Sequence, residues 1–120
     1  MEKIDATWRI FSAYLLILFF MLLANNAFSQ IEARYFNAAW NSANDVKWFM
    51  SLEDCSVKDV TDIGINKEAQ AKYKIAVIPT IILFKDGEEV ARFQADLSFK
   101  MVATREEVQE EIDNQLMSDF

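Results

Sequence analysis

Hydrophobic and polar positions divide this chain into two unequal parts. From Ile10 to Ile31 no residue carries a charge, and the densest stretch, Tyr14-Leu-Leu-Ile-Leu-Phe-Phe-Met-Leu-Leu-Ala24, has nothing polar but its leading tyrosine. Beyond Ile31, apolar residues recur in short runs broken by charges, the pattern of strands and amphipathic helices in a globular domain. The run from Glu32 to Trp40, mostly apolar and interrupted by Arg34 and Asn37, predicts a strand buried on much of both faces. Asn41-Ser-Ala-Asn-Asp45 follows with good helix-starting residues, Ser42 standing three positions before Asp45 as a weak capping box. A short helix is therefore expected through about Leu52. Trp48, Met50 and Leu52 are large for so short an element, which sets it firmly against the sheet with Trp48 in the core.

Val57 to Ile63 alternates weakly and predicts a second strand, after which Gly64-Ile-Asn66 offers a turn and a cap for a helix from Lys67 to Tyr73. Val77 to Phe84 carries the β-branched run Ile78, Thr80, Ile81 and Ile82 and predicts a buried strand. Asp86-Gly87 is a hairpin signal, because a tight turn needs positive φ there, and Glu88 to Gln94 is its antiparallel return. Thr104-Arg-Glu-Glu107 is a capping box, opening a helix that lines up Val108, Ile112, Gln115 and Leu116 on one face.

Lys3 and Arg9 precede the uncharged stretch and Asn25-Asn26-Ala27-Phe28-Ser29-Gln30 ends it, a basic start, apolar run and small-residue site that match a secretory signal. The expected cut follows Ser29, leaving a domain of residues 30–120 in a periplasmic or secreted, extracytoplasmic location. The alternative for residues 1–29 is a retained membrane anchor, since about 20 uncharged residues can span a bilayer. A retained anchor would start the strand at Glu32 almost on the membrane surface with no linker, which favours cleavage.

Composition narrows the chemistry. The chain has 52% hydrophobic and 26% charged residues, as globular proteins do, and a net charge of −7 that removal of Glu2, Lys3, Asp5 and Arg9 leaves unchanged. Such a surface argues against a nucleic-acid partner, since phosphate binding needs basic groups. The absence of histidine takes away the usual general base and the commonest transition-metal ligand. No phosphate loop, metal cluster or pair of catalytic carboxylates can be assembled, so neither cofactor nor metal is expected. Cys55 is the only cysteine and cannot form an intramolecular disulfide. It is either a small buried apolar residue or a thiol that pairs with another molecule.

Three motifs carry a resemblance. Phe36-Asn-Ala-Ala-Trp40, Lys72-Tyr-Lys-Ile-Ala-Val-Ile-Pro-Thr80 and Phe84-Lys-Asp-Gly87 resemble successive segments of the thioredoxin-like family, and the middle one is the specific match. The order strand, helix, strand, helix, strand, strand, helix is similar to that family's α/β, three-layer domain with a mixed central sheet, lacking its first strand and helix. The resemblance implies that Pro79 is a cis-proline facing the active site, and that Asn41-Ser42-Ala43-Asn44 stands where active members carry Cys-x-x-Cys. There a helix start stabilises one thiolate, which attacks a substrate disulfide while the second cysteine resolves the product. Tyr35 corresponds to the family's buried acid, and Ala95 to the glycine after its hairpin.

These three departures imply loss of disulfide exchange, and Cys55, about eleven residues beyond Asn44, falls at the opposite end of the sheet in this fold. One cysteine forms a mixed disulfide but cannot release it unaided. What the scaffold still implies is binding: the residue before the cis-proline offers its backbone to an extended peptide while the tryptophan makes an apolar contact. Trp40, Ile78 and Pro79 match those positions, with Asn41 and Asn44 as amide donors and acceptors in place of sulfur, or else as helix caps. The expected function is an exported, redox-inactive protein holding protein or peptide segments. Two alternatives stay open: a thiol-disulfide oxidoreductase of cell redox homeostasis working through Cys55 with an external thiol, and a structural subunit completed by a partner.

Overall fold

The computed structural model describes residues 12–19 and 30–118. Residues 12–19 are helical with exposed side chains, and among the described residues no helix is long and apolar enough to cross a membrane. The cleavage position after Ser29 and both flanks of the apolar stretch lie outside the described residues.

Four strands build one mixed sheet in the order β2-β1-β3-β4. They are β1 (Ile31–Asn37), β2 (Val57–Asp62), β3 (Thr80–Lys85) and β4 (Glu88–Gln94), with α1 (Lys67–Lys72) before β3 and α2 (Arg105–Met117) at the end. β1 runs parallel to β2 and antiparallel to β3, and β3 is antiparallel to β4. Because side chains alternate across a strand, β1 and β3 feed two separate cores. Ile31, Ala33, Tyr35, Ile81 and Leu83 meet Val46, Phe49, Leu52, Val108 and Ile112 on one face. Phe36 and Ile82 meet Ile63, Ala69, Ile75 and Ile78 on the other, with Tyr73 and Phe84 against them. A sheet covered on both faces explains why β1 and β3 read as near-continuous apolar runs.

Local signals explain the ends of several elements. Asn66 Oδ1 accepts from Ala69 N at 3.1 Å to start α1, and Thr104 Oγ1 accepts from Glu107 N at 3.2 Å to start α2. Asp86 and Gly87 both have positive φ, 52° and 87°, as the two central positions of a tight hairpin turn require. At the far end of α2, Lys85 Nζ donates to Gln115 O at 2.7 Å, placing a cation on the free carbonyls of a helix terminus.

The segment between β1 and β2 departs from the expected helix. It consists of two 3₁₀ helices, Ala39–Asn44 and Phe49–Ser51, joined through extended backbone at Asp45. The buried residues Val46, Phe49 and Leu52 recur every third position, the repeat of a 3₁₀ turn. The Ser42–Asp45 capping box does not form, because Asp45 Oδ1 is taken by Tyr35 and Asn37 from β1. Trp48 packs against the core as expected, but Phe49 fills it where Met50 was expected, and Met50 is exposed. Two strand boundaries also move. β1 stops at Asn37, where Asn41 N turns back to Ala38 O at 2.9 Å, and β3 starts at Thr80 because Thr80 Oγ1 closes a turn onto Val77 O at 2.6 Å.

Candidate functional site

The register brings the motif residues to one end of the sheet. Thr80 pairs with both Phe36 and Gln94, so the Ile78–Pro79 peptide just before it, the chain leaving β1 at Ala38 and the chain leaving β4 at Ala95 converge there. The Ile78–Pro79 peptide is cis, and Pro79 O accepts from Ala95 N at 3.0 Å. Ala95 in turn bridges to Met101, closing a loop in which Asp96 N donates to Lys100 O and the Ser98 amide and hydroxyl donate to the Asp96 carboxylate. Those bonds hold the Asp96 carboxyl below its ordinary range.

Asn41 lies at the centre and is only 4% exposed. Its amide nitrogen donates to Asn37 Oδ1 and to Phe99 O, both at 3.1 Å, and its Oδ1 accepts from Asn44 Nδ2 at 2.9 Å. Both N–H groups are therefore engaged inside the domain, and the Phe99 loop is tied to the first 3₁₀ helix through one side chain. Neither asparagine caps that helix, whose first flanking residue, Ala38, makes no side-chain cap bond. The network continues through Asn37 Nδ2 to Asp45 Oδ1, which also accepts from Tyr35 Oη at 2.8 Å. Tyr35 Oη accepts in turn from Val46 N at 3.0 Å.

Burial pushes the Tyr35 phenol up to about 12, with the Asp45 carboxylate adding to the rise and the Val46 amide opposing it. At neutral pH this group is a fixed neutral donor.

Trp40 is 68% exposed and meets Phe99 edge to face, ring centroids 5.2 Å apart at 87°. Leu97 and Val102, in the β4–α2 connection, are also exposed. Ile78 and Pro79 are buried, yet among the described residues the Ile78 backbone amide and carbonyl have no hydrogen-bond partner. The expected site residues thus differ in kind: Trp40 is a surface group, Ile78 and Pro79 form a floor, and Asn41 and Asn44 brace the frame.

Cys55 is elsewhere. Ser56 N donates to Ile31 O at 2.8 Å, so the thiol sits beside the first residue of β1, about 20 Å from Asn37 at the usual strand rise. It is half-buried against the core, its Sγ faces Glu53 O at 3.7 Å, and burial pushes the thiol's pKa up.

A surface cavity of about 440 Å³ lies between Arg34, Tyr73, Phe84 and Arg92. Its guanidinium groups are already spent on neighbours: Arg34 on Glu32 and Asp59, Arg92 on Glu89 and the carbonyls of Tyr73 and Lys74.

No protein-family model and no curated protein matches the sequence. Solved structures do. Schistosoma mansoni thioredoxin superposes with a TM-score of 0.56 at 24% identity over 78% of this chain and 83% of its own. A mutant thioredoxin from Halobacterium salinarum gives 0.56 at 20% identity over 72% and 75%, and Fasciola hepatica thioredoxin 0.51 at 25% over 79% and 89%. The chain has a thioredoxin-like fold.

Three residues at this end of the sheet have little or no local signal for their place in the network. Asn37 stands out as a lone amide inside an apolar strand, but its partners do not. Asp45 carries the pattern of a cap, and Phe99, whose carbonyl receives Asn41 from 58 positions away, carries none.

Proposed function

We propose that this is an extracytoplasmic, redox-inactive thioredoxin-like protein that binds extended protein or peptide segments on the Trp40 face. The observation that carries the reading is Trp40 itself: a largely exposed indole held against Phe99, on a frame fixed by Asn41, beside an Ile78 backbone with unspent hydrogen-bonding groups. An ordered aromatic on a rigid support loses little entropy on binding, and the amide and carbonyl of Ile78 can pair with an extended peptide. Redox inactivity is supported by the single thiol at the far end of β1 and by two asparagines, bonded to each other, where two thiols would be needed. Export is supported by the basic start, the apolar run and the small residues before Gln30.

Two assays on the full-length chain in mild detergent test this. Reduction of a disulfide substrate by added thiol should not be accelerated by the wild type or by Cys55→Ser; acceleration lost only in the variant would establish a one-cysteine enzyme. On an array of extended peptides, binding should be present in the wild type and weakened about tenfold or more by Trp40→Ala and by Pro79→Ala. Unchanged binding in both would reject the site.

A further inference from the structure

We propose that β2 is a dimerisation edge, to which β2 of a second copy of this chain adds antiparallel across a two-fold axis at Val60. The inference is independent of the peptide-binding reading and starts from the sheet order, which among the described residues leaves β2 as an outer strand. In its ladder Asn37 is the partner of Asp62, and Ile63 N donates to Asn37 O at 2.9 Å. Parallel pairing turns alternate residues toward the neighbour, so the odd-numbered residues serve β1, Lys58 and Val60 present their amides and carbonyls to the open edge, and Asp62 presents its amide, its carbonyl being taken by Ile65 N and Asn66 N. Outer strands are commonly protected by proline, by a bulge, by very short length or by charged side chains, and of these β2 has only the charges, which are of both signs. β2 has no proline, its register with β1 is unbroken over Glu32 to Asn37, and Val60 is 57% exposed in its middle.

Side-chain charge then selects the occupant. Two antiparallel copies must match outward-facing residues with outward-facing ones, which restricts the two-fold to a residue position. Centring on Lys58, Asp59 or Asp62 sets that residue against its own copy, like charge on like. Centring on Thr61 faces Val60 with Asp62. Only Val60 at the centre places Lys58 across from Asp62 on both sides, Asp59 across from Thr61 and Val60 against Val60. Lys58 is already held for this role, its Nζ donating to Met50 O at 2.7 Å and Leu52 O at 3.0 Å, which leaves a third N–H for a carboxylate. Asp62 gives one oxygen to Gly64 N at 2.7 Å and has a second for the partner's lysine. The strand is thus complementary to itself, and a second copy is the partner it fits.

The test is the mass in solution of the full-length chain in mild detergent. The wild type should be a dimer, Lys58→Glu and Asp62→Lys should each be monomeric, and an equimolar mixture of the two variants should recover the dimer, because each single change supplies what the other lacks. A monomeric wild type overturns the proposal, as does a dimer that persists in the single variants. Should either variant fail to fold, Val60→Cys in a Cys55→Ser background decides. Facing α-carbons in a hydrogen-bonded antiparallel pair lie about 5.5 Å apart, within disulfide reach, so oxidation should give a cross-linked dimer. Absence of the cross-link then overturns it.

Discussion

At the Asn37 end of β1, Tyr35, Asn37, Asn41, Asn44 and Asp45 satisfy one another in a chain of hydrogen bonds that reaches the Phe99 carbonyl. At the Ile31 end, the chemically most reactive side chain of the domain, Cys55, is packed against the core with one weak contact to Glu53 O. Polar groups thus gather at the end of the sheet that holds the cis-proline, and the thiol stands at the other end. The difference separates reactivity from placement. Amides carry no nucleophile, but Asn41, buried and bonded to Asn37, Asn44 and Phe99, fixes a loop beside an exposed tryptophan, which is what a binding surface needs. A thiol with its pKa raised by burial is a small apolar residue for most purposes.

Breaking the network should cost most. Asn41→Leu removes partners from Asn37 Oδ1, Asn44 Nδ2 and Phe99 O while keeping the volume, and leaving buried groups unpaired should lower stability by about 3 kcal/mol. The expected result is a urea midpoint shifted down, with Trp40 emission changed as the Phe99 loop loosens. A shift comparable to that of a surface substitution would show the network to be ornamental. Tyr35→Phe removes only the hydroxyl between Asp45 and Val46 N and should cost about 1–2 kcal/mol. Its effect carries a pH signature. The folded value of about 12 lies above the unfolded 10, so the stabilising contribution of the protonated phenol is complete below pH 10 and is lost as pH rises toward 12. Wild type and Tyr35→Phe should therefore differ most at neutral pH and converge in alkali.

How legible these two ends were in the sequence depends on how local their causes are. The Asp86-Gly87 turn, the Asn66 and Thr104 caps and the α2 face of Val108 and Ile112 follow from residues a few positions apart, and the structure has them where the pattern predicts. The order of elements and the specific motif around Pro79 gave the thioredoxin-like architecture. The 3₁₀ segments were not legible, because Asp45 is a good helix-starting residue until Tyr35 and Asn37 claim its carboxylate. Asn41 has the same history: its type suggested a cap or a ligand, and its partner Phe99 comes from a loop that no period announces. The burial of Ile78 and Pro79 depends likewise on neighbours far along the chain.

Trp40→Ala sharpens the contrast between frame and surface. With the indole largely exposed, its loss should change stability by less than about 1 kcal/mol, through the Phe99 contact alone, while peptide binding falls. A large stability loss would mean that Trp40 belongs to the frame.

The smallest effect is expected at Cys55, and it tests the other half of the comparison. Serine in its place keeps the volume nearly unchanged at a half-buried position, so stability should move by about 0.5 kcal/mol, within the range of ordinary surface changes. Reactivity discriminates further. Because burial raises the thiol's pKa, the folded protein holds less thiolate at pH 8 than the unfolded chain does, and alkylation by iodoacetamide should be slower than in urea. Lys58 opposes that rise and Asp54 supports it, so Lys58→Glu, if it folds, should slow alkylation again. Alkylation faster in the folded state than in urea would mean an activated thiol. The Ile31 end would then be the reactive one, and the amide network at the other end would need a different explanation from the one its geometry suggests.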